Sequence, residues 1–233
     1  MKINILLCDT FPGLLPEDIP SYASMFTDLF DSVQKDIEYE VFEVYKGIVP
    51  LSMKTKEIYI ITGSNSSVYD DKPWIKTLLE WIQRANTHKI PVAGICFGHQ
   101  AIAQALGGKV ERAAVGWGTG IRESIVLGTP LSDALPKGVL RLMYNHHDQV
   151  TRLPYGARLI ATSKFCPNEA FMVGEKIISF QGHPEYTKAY ATHLLKHHSQ
   201  HEAKDVVDAA LASLKHNNEH GKKVAEVIIN TLG

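Results

Sequence analysis

Residues 90–106 read Ile90-Pro-Val-Ala-Gly94-Ile-Cys96-Phe-Gly98-His-Gln100-Ala-Ile-Ala-Gln-Ala-Leu106, an apolar strand running into an amphipathic helix with a cysteine at the joint. This Gly-x-Cys-x-Gly spacing predicts a nucleophile elbow. Glycines two residues before and after the joint let strand and helix approach closely, and the strained turn lifts the side chain above the sheet edge. A sulfur at a helix N-terminus also faces unpaired amides and the positive end of the macrodipole, which favour a thiolate. The competing reading is that Cys96 is a small buried hydrophobe, a common fate of free cysteine.

Working outward, Ile3–Cys8, Tyr39–Val44, Glu57–Thr62 and Ile90–Ile95 are short, apolar and bounded by turn formers, so they read as strands. Tyr22–Lys35 and Trp74–His88 carry apolar residues at helical spacing, with Pro73 suited to a first turn. Alternating strand and helix predicts an α/β fold: an open, mostly parallel sheet with helices on both faces and sites at the carboxyl ends of strands. After Gly107-Gly108 the strands lie close in sequence (Ile121–Leu127, Val139–Tyr144, Arg158–Thr162, Ala170–Val173, Ile177–Phe180), which predicts an antiparallel extension. From Thr187 the pattern is helical, with Asp205–Leu214 and Lys222–Leu232 expected to cover one face. One domain over 1–233, with a helical tail from about 187, is the expectation.

Composition narrows the function. The chain has 24 Lys and Arg against 25 Asp and Glu, so it lacks the basic field that holds a nucleic-acid backbone. Its apolar runs fall short of the roughly 20 residues of a membrane helix, and the N-terminal run reads as a strand and not a secretory signal. A cytoplasmic protein is expected. Cys8, Cys96 and Cys166 are too few and too widely spaced for a disulfide framework or a C-x-x-C pair. His193, His197 and His201 repeat at helical spacing, but without an evident carboxylate they read as a solvated face; no metal is expected.

A second constellation is Ile177-Ile-Ser-Phe-Gln181-Gly-His183-Pro184-Glu185-Tyr186. In extended backbone, residues two apart point the same way, so the Glu185 carboxylate can hold the His183 imidazole. A thiol hydrolase needs a group that protonates a leaving amine and then deprotonates water, and imidazole titrates in that range. Alone the segment reads as a surface turn; the cysteine elbow gives it chemical sense.

Gly94-Ile-Cys96-Phe-Gly98-His-Gln100 and Gly182-His183-Pro184-Glu185 resemble the two motifs of class I, triad-type glutamine amidotransferases. Ile61-Thr-Gly63-Ser64-Asn65 is similar to that family's loop after the third strand. Asn145-His146-His147-Asp148-Gln149-Val150, followed by Leu153-Pro154-x-Gly156-Ala157, is similar to a segment of GMP synthase glutaminases. The resemblance implies a flavodoxin-like core and a catalytic triad of Cys96, His183 and Glu185. It implies an oxyanion hole from amides near Gly63, Ser64 and Phe97, and substrate contacts at Gln100, Gly116, Trp117 and His146. Ser64-Asn65 stands where many relatives have Gly-Pro, and His147 where GMP synthases have glycine.

The implied reaction is hydrolysis of the glutamine side-chain amide through a γ-glutamyl thioester, with no cofactor. The chain would act alone or as the glutaminase subunit of a transferase, and the absence of a P-loop or Ser-Gly-Gly-x-Asp-Ser run points to a separate synthetase as ammonia recipient or to ammonia as by-product. The alternative is a γ-glutamyl peptidase acting on glutathione-like or γ-glutamyl peptides. A non-catalytic binding or regulatory module is the third reading, and the intact Cys96, His183 and Glu185 set speaks against it.

Overall fold

The structure, a computed structural model, describes residues 1–198, 203–216 and 218–233. In chain order the elements are β1 (Lys2–Leu7), α1 (Tyr22–Asp31), β2 (Glu38–Glu43), β3 (Ile58–Ile61), α2 (Pro73–Thr87), β4 (Val92–Ile95) and α3 (Phe97–Ala105). Then come β5 (Lys109–Arg112), β6 (Gly118–Val126), α4 (Leu131–Ala134), β7 (Val139–His146), β8 (Asp148–Arg152), β9 (Ala157–Thr162), β10 (Ala170–Val173) and β11 (Ile177–Phe180). Helices α5 (Lys188–His198), α6 (Lys204–His216) and α7 (Gly221–Leu232) follow.

One nine-stranded sheet runs β2-β1-β3-β4-β11-β10-β9-β6-β7. Pairs from β2 to β11 are parallel, and those from β11 to β7 antiparallel. The mostly parallel α/β expectation therefore holds, with one correction: β11 belongs to the parallel core, in register with β4 (Gly94 opposite Ser179, Ile95 opposite Phe180), while its other edge starts the antiparallel extension. A purely local reading cannot see this, because β11 reaches β4 only after the chain has built the extension.

Strands β3, β4 and β11 of the parallel core are buried on both faces, which explains their unbroken apolar runs. On one side α2 and α3 pack Leu78, Trp81, Ile82 and Ile102 against the sheet. On the other, α1, α5, α6 and α7 contribute Phe26, Phe30, Leu194, Leu214 and Ile228. Each such side chain, once buried, stabilises the fold by roughly 1.5–3 kcal/mol. Helix α1 stops at Asp31, short of the expected Lys35: the Ser32 amide closes on Asp28 and Leu29, and Asp36 at φ 59° turns the chain into β2.

A second sheet, β5 with β8, was not expected from the sequence. Its strands are mostly polar and face water on one side, so their period is weak. It matters because it carries Arg112 and Asp148 to the rim where β3, β4 and β11 end. His193 and His197 lie with ring centroids 5.3 Å apart, and position 201 is outside the described residues. Among the described residues no cluster of His, Cys, Asp and Glu is arranged for a metal, and no helix is long and apolar enough to cross a membrane.

Candidate active site

Cys96 lies between β4 and α3 with φ 52° and ψ −102°, left-handed backbone that costs a non-glycine residue about 1–3 kcal/mol. Its neighbours hold it there. The Cys96 amide donates to the Phe180 carbonyl at 2.9 Å, and its carbonyl accepts from Gln100 N–H at 3.1 Å. A Cβ on Gly94 would meet the Gly98 carbonyl at 2.6 Å, and one on Gly98 would run into the Ile61 carbonyl. Both glycines are therefore conditions of the turn.

His183 follows β11, and its amide donates to Met143 O at 2.7 Å, an isolated bridge that draws the segment onto β7. The imidazole Nδ1 and Glu185 Oε1 are 2.7 Å apart, both side chains buried. That arrangement puts the proton on Nδ1 as donor; Nε2 makes no hydrogen bond of full geometry with any described residue. Gly63 brings the pieces together: a methyl built on its Cα would lie 3.1 Å from His183 Cε1 and 3.8 Å from Cys96 Cβ. Sulfur and imidazole thus flank one gap.

Burial is the largest influence on His183 and works against its charged form. The Glu185 carboxylate and the Cys96 sulfur outweigh it, raising the imidazole pKa to about 10. His183 is therefore a cation through neutral pH, ready to give up a proton.

Three groups that the sequence did not single out complete the shell. Tyr22, at the start of α1, donates its hydroxyl to Glu185 Oε1 at 2.7 Å. Tyr186 stacks on the His183 ring at 3.9 Å and 12°. Gln181 reaches the sulfur, its Nε2 donating to Cys96 Sγ at 3.6 Å, while its Oε1 accepts from Gln100 Nε2 at 3.1 Å. Gln181 was legible in principle, two residues before His183 in the segment that follows β11. Tyr22 was not: it lies 163 residues from its partner.

Cys96 opens on a cleft of about 280 Å³ walled by the 64–69 loop, Gln100, Arg112, Trp117 and the Asn145–Asp148 turn. Of the residues expected to contact substrate, Gln100, Trp117 and His146 line it; Gly116 stands in the turn just before, at φ 81°. His146 is buried, which lowers its pKa to about 3 and keeps it neutral, and its Nδ1 lies 3.0 Å from the Asp148 carbonyl. Asp148 accepts from Ser67 Oγ at 2.6 Å and Tyr69 Oη at 2.9 Å. Phe97 is the first residue of α3, where an amide has no intrahelical acceptor, and Gly63 and Ser64 follow β3 beside it. A larger cavity of about 480 Å³ lies between α1 and the Pro184–His193 segment, but no thiol lines it, so size does not mark the reactive site.

An elbow cysteine beside a carboxylate-oriented imidazole defines a cysteine hydrolase, and the sequence places it in a family. Residues 21–201 match the glutamine amidotransferase class-I family. The chain belongs to that family of hydrolytic enzymes. It is 33% identical over 175 residues to γ-glutamyl peptidase 3 of Arabidopsis thaliana, covering 72% of this chain and 70% of the relative. It is 30% identical over 213 residues to the glutamine-hydrolyzing GMP synthase of Thermosipho melanesiensis, covering 83% of this chain but 39% of that enzyme. Among solved structures, a glutamine amidotransferase from Thermotoga maritima superposes with TM-score 0.76 at 20% identity, over 99% of this chain and 95% of that one.

Proposed function

We propose that the chain hydrolyses the side-chain amide of glutamine to glutamate and ammonia, with Cys96 as nucleophile, His183 as acid and then base, and Glu185 as the group that orients His183. The observation that carries the reading is the shared gap between Cys96, His183 and Gly63 at the rim of the parallel sheet. Cys96 sulfur attacks the amide carbon, and the resulting oxyanion is met by amides of Gly63 or Ser64 and of Phe97. His183 gives its proton to the nitrogen, the C–N bond breaks, and ammonia leaves a γ-glutamyl thioester. Water then loses a proton to His183 and attacks the thioester, releasing glutamate and restoring the Cys96 thiolate beside the protonated His183. None of these steps draws on a cofactor.

A second reading keeps every step and changes the leaving group: an amino acid or peptide amine in place of ammonia. The 33% identity to a γ-glutamyl peptidase favours it. With glutamine, the ammonia would go to a separate synthetase subunit or to solvent. The proposal takes residues 1–233 as one unit, because α6 packs on β6 and α7 on α1 and α4.

The test is glutamate release from L-glutamine and from γ-glutamyl dipeptides, each with and without cell extract. Turnover of glutamine alone supports a self-sufficient glutaminase, turnover dependent on extract supports a partner, and preference for the dipeptide supports the peptidase. In every case Cys96→Ala lowers the rate by about 10⁵-fold or more. Full activity in that variant would rule out the scheme.

A further inference from the structure

Glu185 meets the His183 ring at one edge, its Oε1 standing 2.7 Å from Nδ1, and the Cys96 sulfur is near enough to favour the charged imidazole. A single hydrogen bond at Nδ1 fixes one atom of the ring but lets the plane turn about the bond axis. Another contact has to set the plane in which Nε2 meets the sulfur and the leaving nitrogen.

Tyr186 stands where such a contact is needed. Its ring lies on the imidazole with centroids 3.9 Å apart and planes 12° from parallel. Both side chains are buried, and Tyr190 of α5 packs against Tyr186 at 4.7 Å and 79°. Two neutral rings avoid such a parallel sandwich, because their quadrupoles repel, and settle offset or edge-to-face at roughly 4.5–7 Å. Centroids at 3.9 Å leave little room for an offset. A cation over a ring face is instead attracted by the quadrupole, most strongly where water is excluded. Burial pushes the Tyr186 phenol well above its ordinary range, so the ring against His183 stays neutral. The stack therefore suits imidazolium better than imidazole.

We infer that Tyr186 is a positioning residue for the reaction: its face sets the plane of the His183 ring and favours the imidazolium that gives up the proton. The inference rests on the acid and base role proposed for His183, and adds a second support for its charged form besides the carboxylate. The other titratable groups around the ring are Cys96 of the elbow, Glu185 with Tyr22 of α1 bonded to it, His146 of β7 and, against Tyr186, Tyr190 of α5. Tyr186 does not line the cleft on which Cys96 opens, so its effect falls on turnover and not on substrate binding.

The experiment replaces Tyr186 with phenylalanine and with mono-, di- and trifluorinated phenylalanines, which keep the shape of the ring while fluorine drains negative charge from its face. NMR of isotope-labelled histidine follows protonation of His183, its signal assigned by its absence in His183→Asn. In parallel, kcat and KM are measured against pH with L-glutamine and γ-glutamylglycine. Tyr186→Phe is expected to leave the His183 midpoint where the wild type has it. Each added fluorine then lowers the midpoint, by about one pH unit over the series, and the alkaline limb of kcat moves down in step. Tyr186→Leu, which removes the plane as well, lowers kcat about tenfold with KM changed less than about twofold. A midpoint that stays put across the fluorinated series overturns the inference, whatever happens to the rate. So does a Tyr186→Phe midpoint as low as that of the trifluorinated ring, which would give the role to the hydroxyl. Because the ring keeps its shape, the series decides even if Tyr186→Leu does not fold. Should the wild type turn over neither substrate, the proposed reaction fails and the titration still decides whether the ring face favours the charged imidazole.

Discussion

The ends of β4 and β11 hold their reactive residues by different means. At the end of β4, the turn that sets Cys96 is written within two residues of it, in a strand, a helix start and the pair Gly94 and Gly98, whose hydrogens leave room for backbone contacts. Its few distant supports are backbone: the Phe180 carbonyl, which accepts from the Cys96 amide, and the Ile61 carbonyl beside Gly98. Beyond the end of β11, His183 is set by distant residues: Met143 on β7 holds its amide, Tyr22 on α1 shares its carboxylate partner, and Leu142 and Tyr144 crowd Gly182. The nucleophile is a local motif, whereas the base is a tertiary construction. Damage near Cys96 should therefore act through folding, and damage around His183 through chemistry.

The sharpest test of that contrast is Glu185→Gln. It keeps shape but removes the charge that outweighs burial at His183, so kcat should fall about 10³–10⁴-fold in steady-state assays. The pKa of His183 then drops. In the wild type, His183 stays protonated until about pH 10, so the rate should hold through neutral pH and decline above that value. The same shift governs stability. A pKa raised from its unfolded value of about 6.5 contributes stability fully present below that pH and lost as pH rises through about 10. Thermal melts of wild type and Glu185→Gln should converge at high pH; a constant difference from pH 6 to 10 would break the account.

Next in size is Gly98→Ala. Its methyl would strike the Ile61 carbonyl, backbone that cannot swing aside, so a loss of about 3 kcal/mol is expected from urea unfolding. Activity per folded molecule should survive better than stability does. At Gly182 the order reverses: an added methyl would meet Leu142 Cβ at 2.6 Å, which is tied to β7, and Tyr144 Cζ at 2.9 Å, the far end of a side chain that can shift. Gly182→Ala should cost about 1–2 kcal/mol of stability yet lower kcat disproportionately, because His183 hangs from the next peptide.

The smallest expected effect is at Tyr22→Phe. Losing one hydrogen bond to a carboxylate is worth about 1–2 kcal/mol, so kcat should drop by up to about tenfold. The alkaline limb should move upward, since Glu185 keeps more charge for the imidazole. A profile that drops without moving would mean Tyr22 only packs.

This contrast also explains what could be read from the chain. The elbow, the first four strands, α2 and the pairing of His183 with Glu185 were legible because each is encoded within a few residues, by period, by glycine spacing or by the i, i+2 rule. The course of β11 back to β4 was not, nor was the small sheet that brings Arg112 and Asp148 to the cleft, because pairing partners across 85 residues or along polar edge strands leave no periodic trace. Tyr22 illustrates the limit. Its helix was evident, with apolar Met25, Phe26, Leu29 and Phe30 at the right spacing, but nothing local distinguishes a core tyrosine from one that touches a catalytic-type carboxylate.

The central claim is that Cys96, among the three buried thiols at 8, 96 and 166, carries the acyl group. Mass spectrometry of protein quenched in acid during turnover of glutamine or a γ-glutamyl dipeptide measures this directly. The account predicts one γ-glutamyl adduct, on the peptide containing Cys96, accumulating further in Glu185→Gln. An adduct on Cys8 or Cys166, or continued turnover after Cys96 has been blocked, would contradict it.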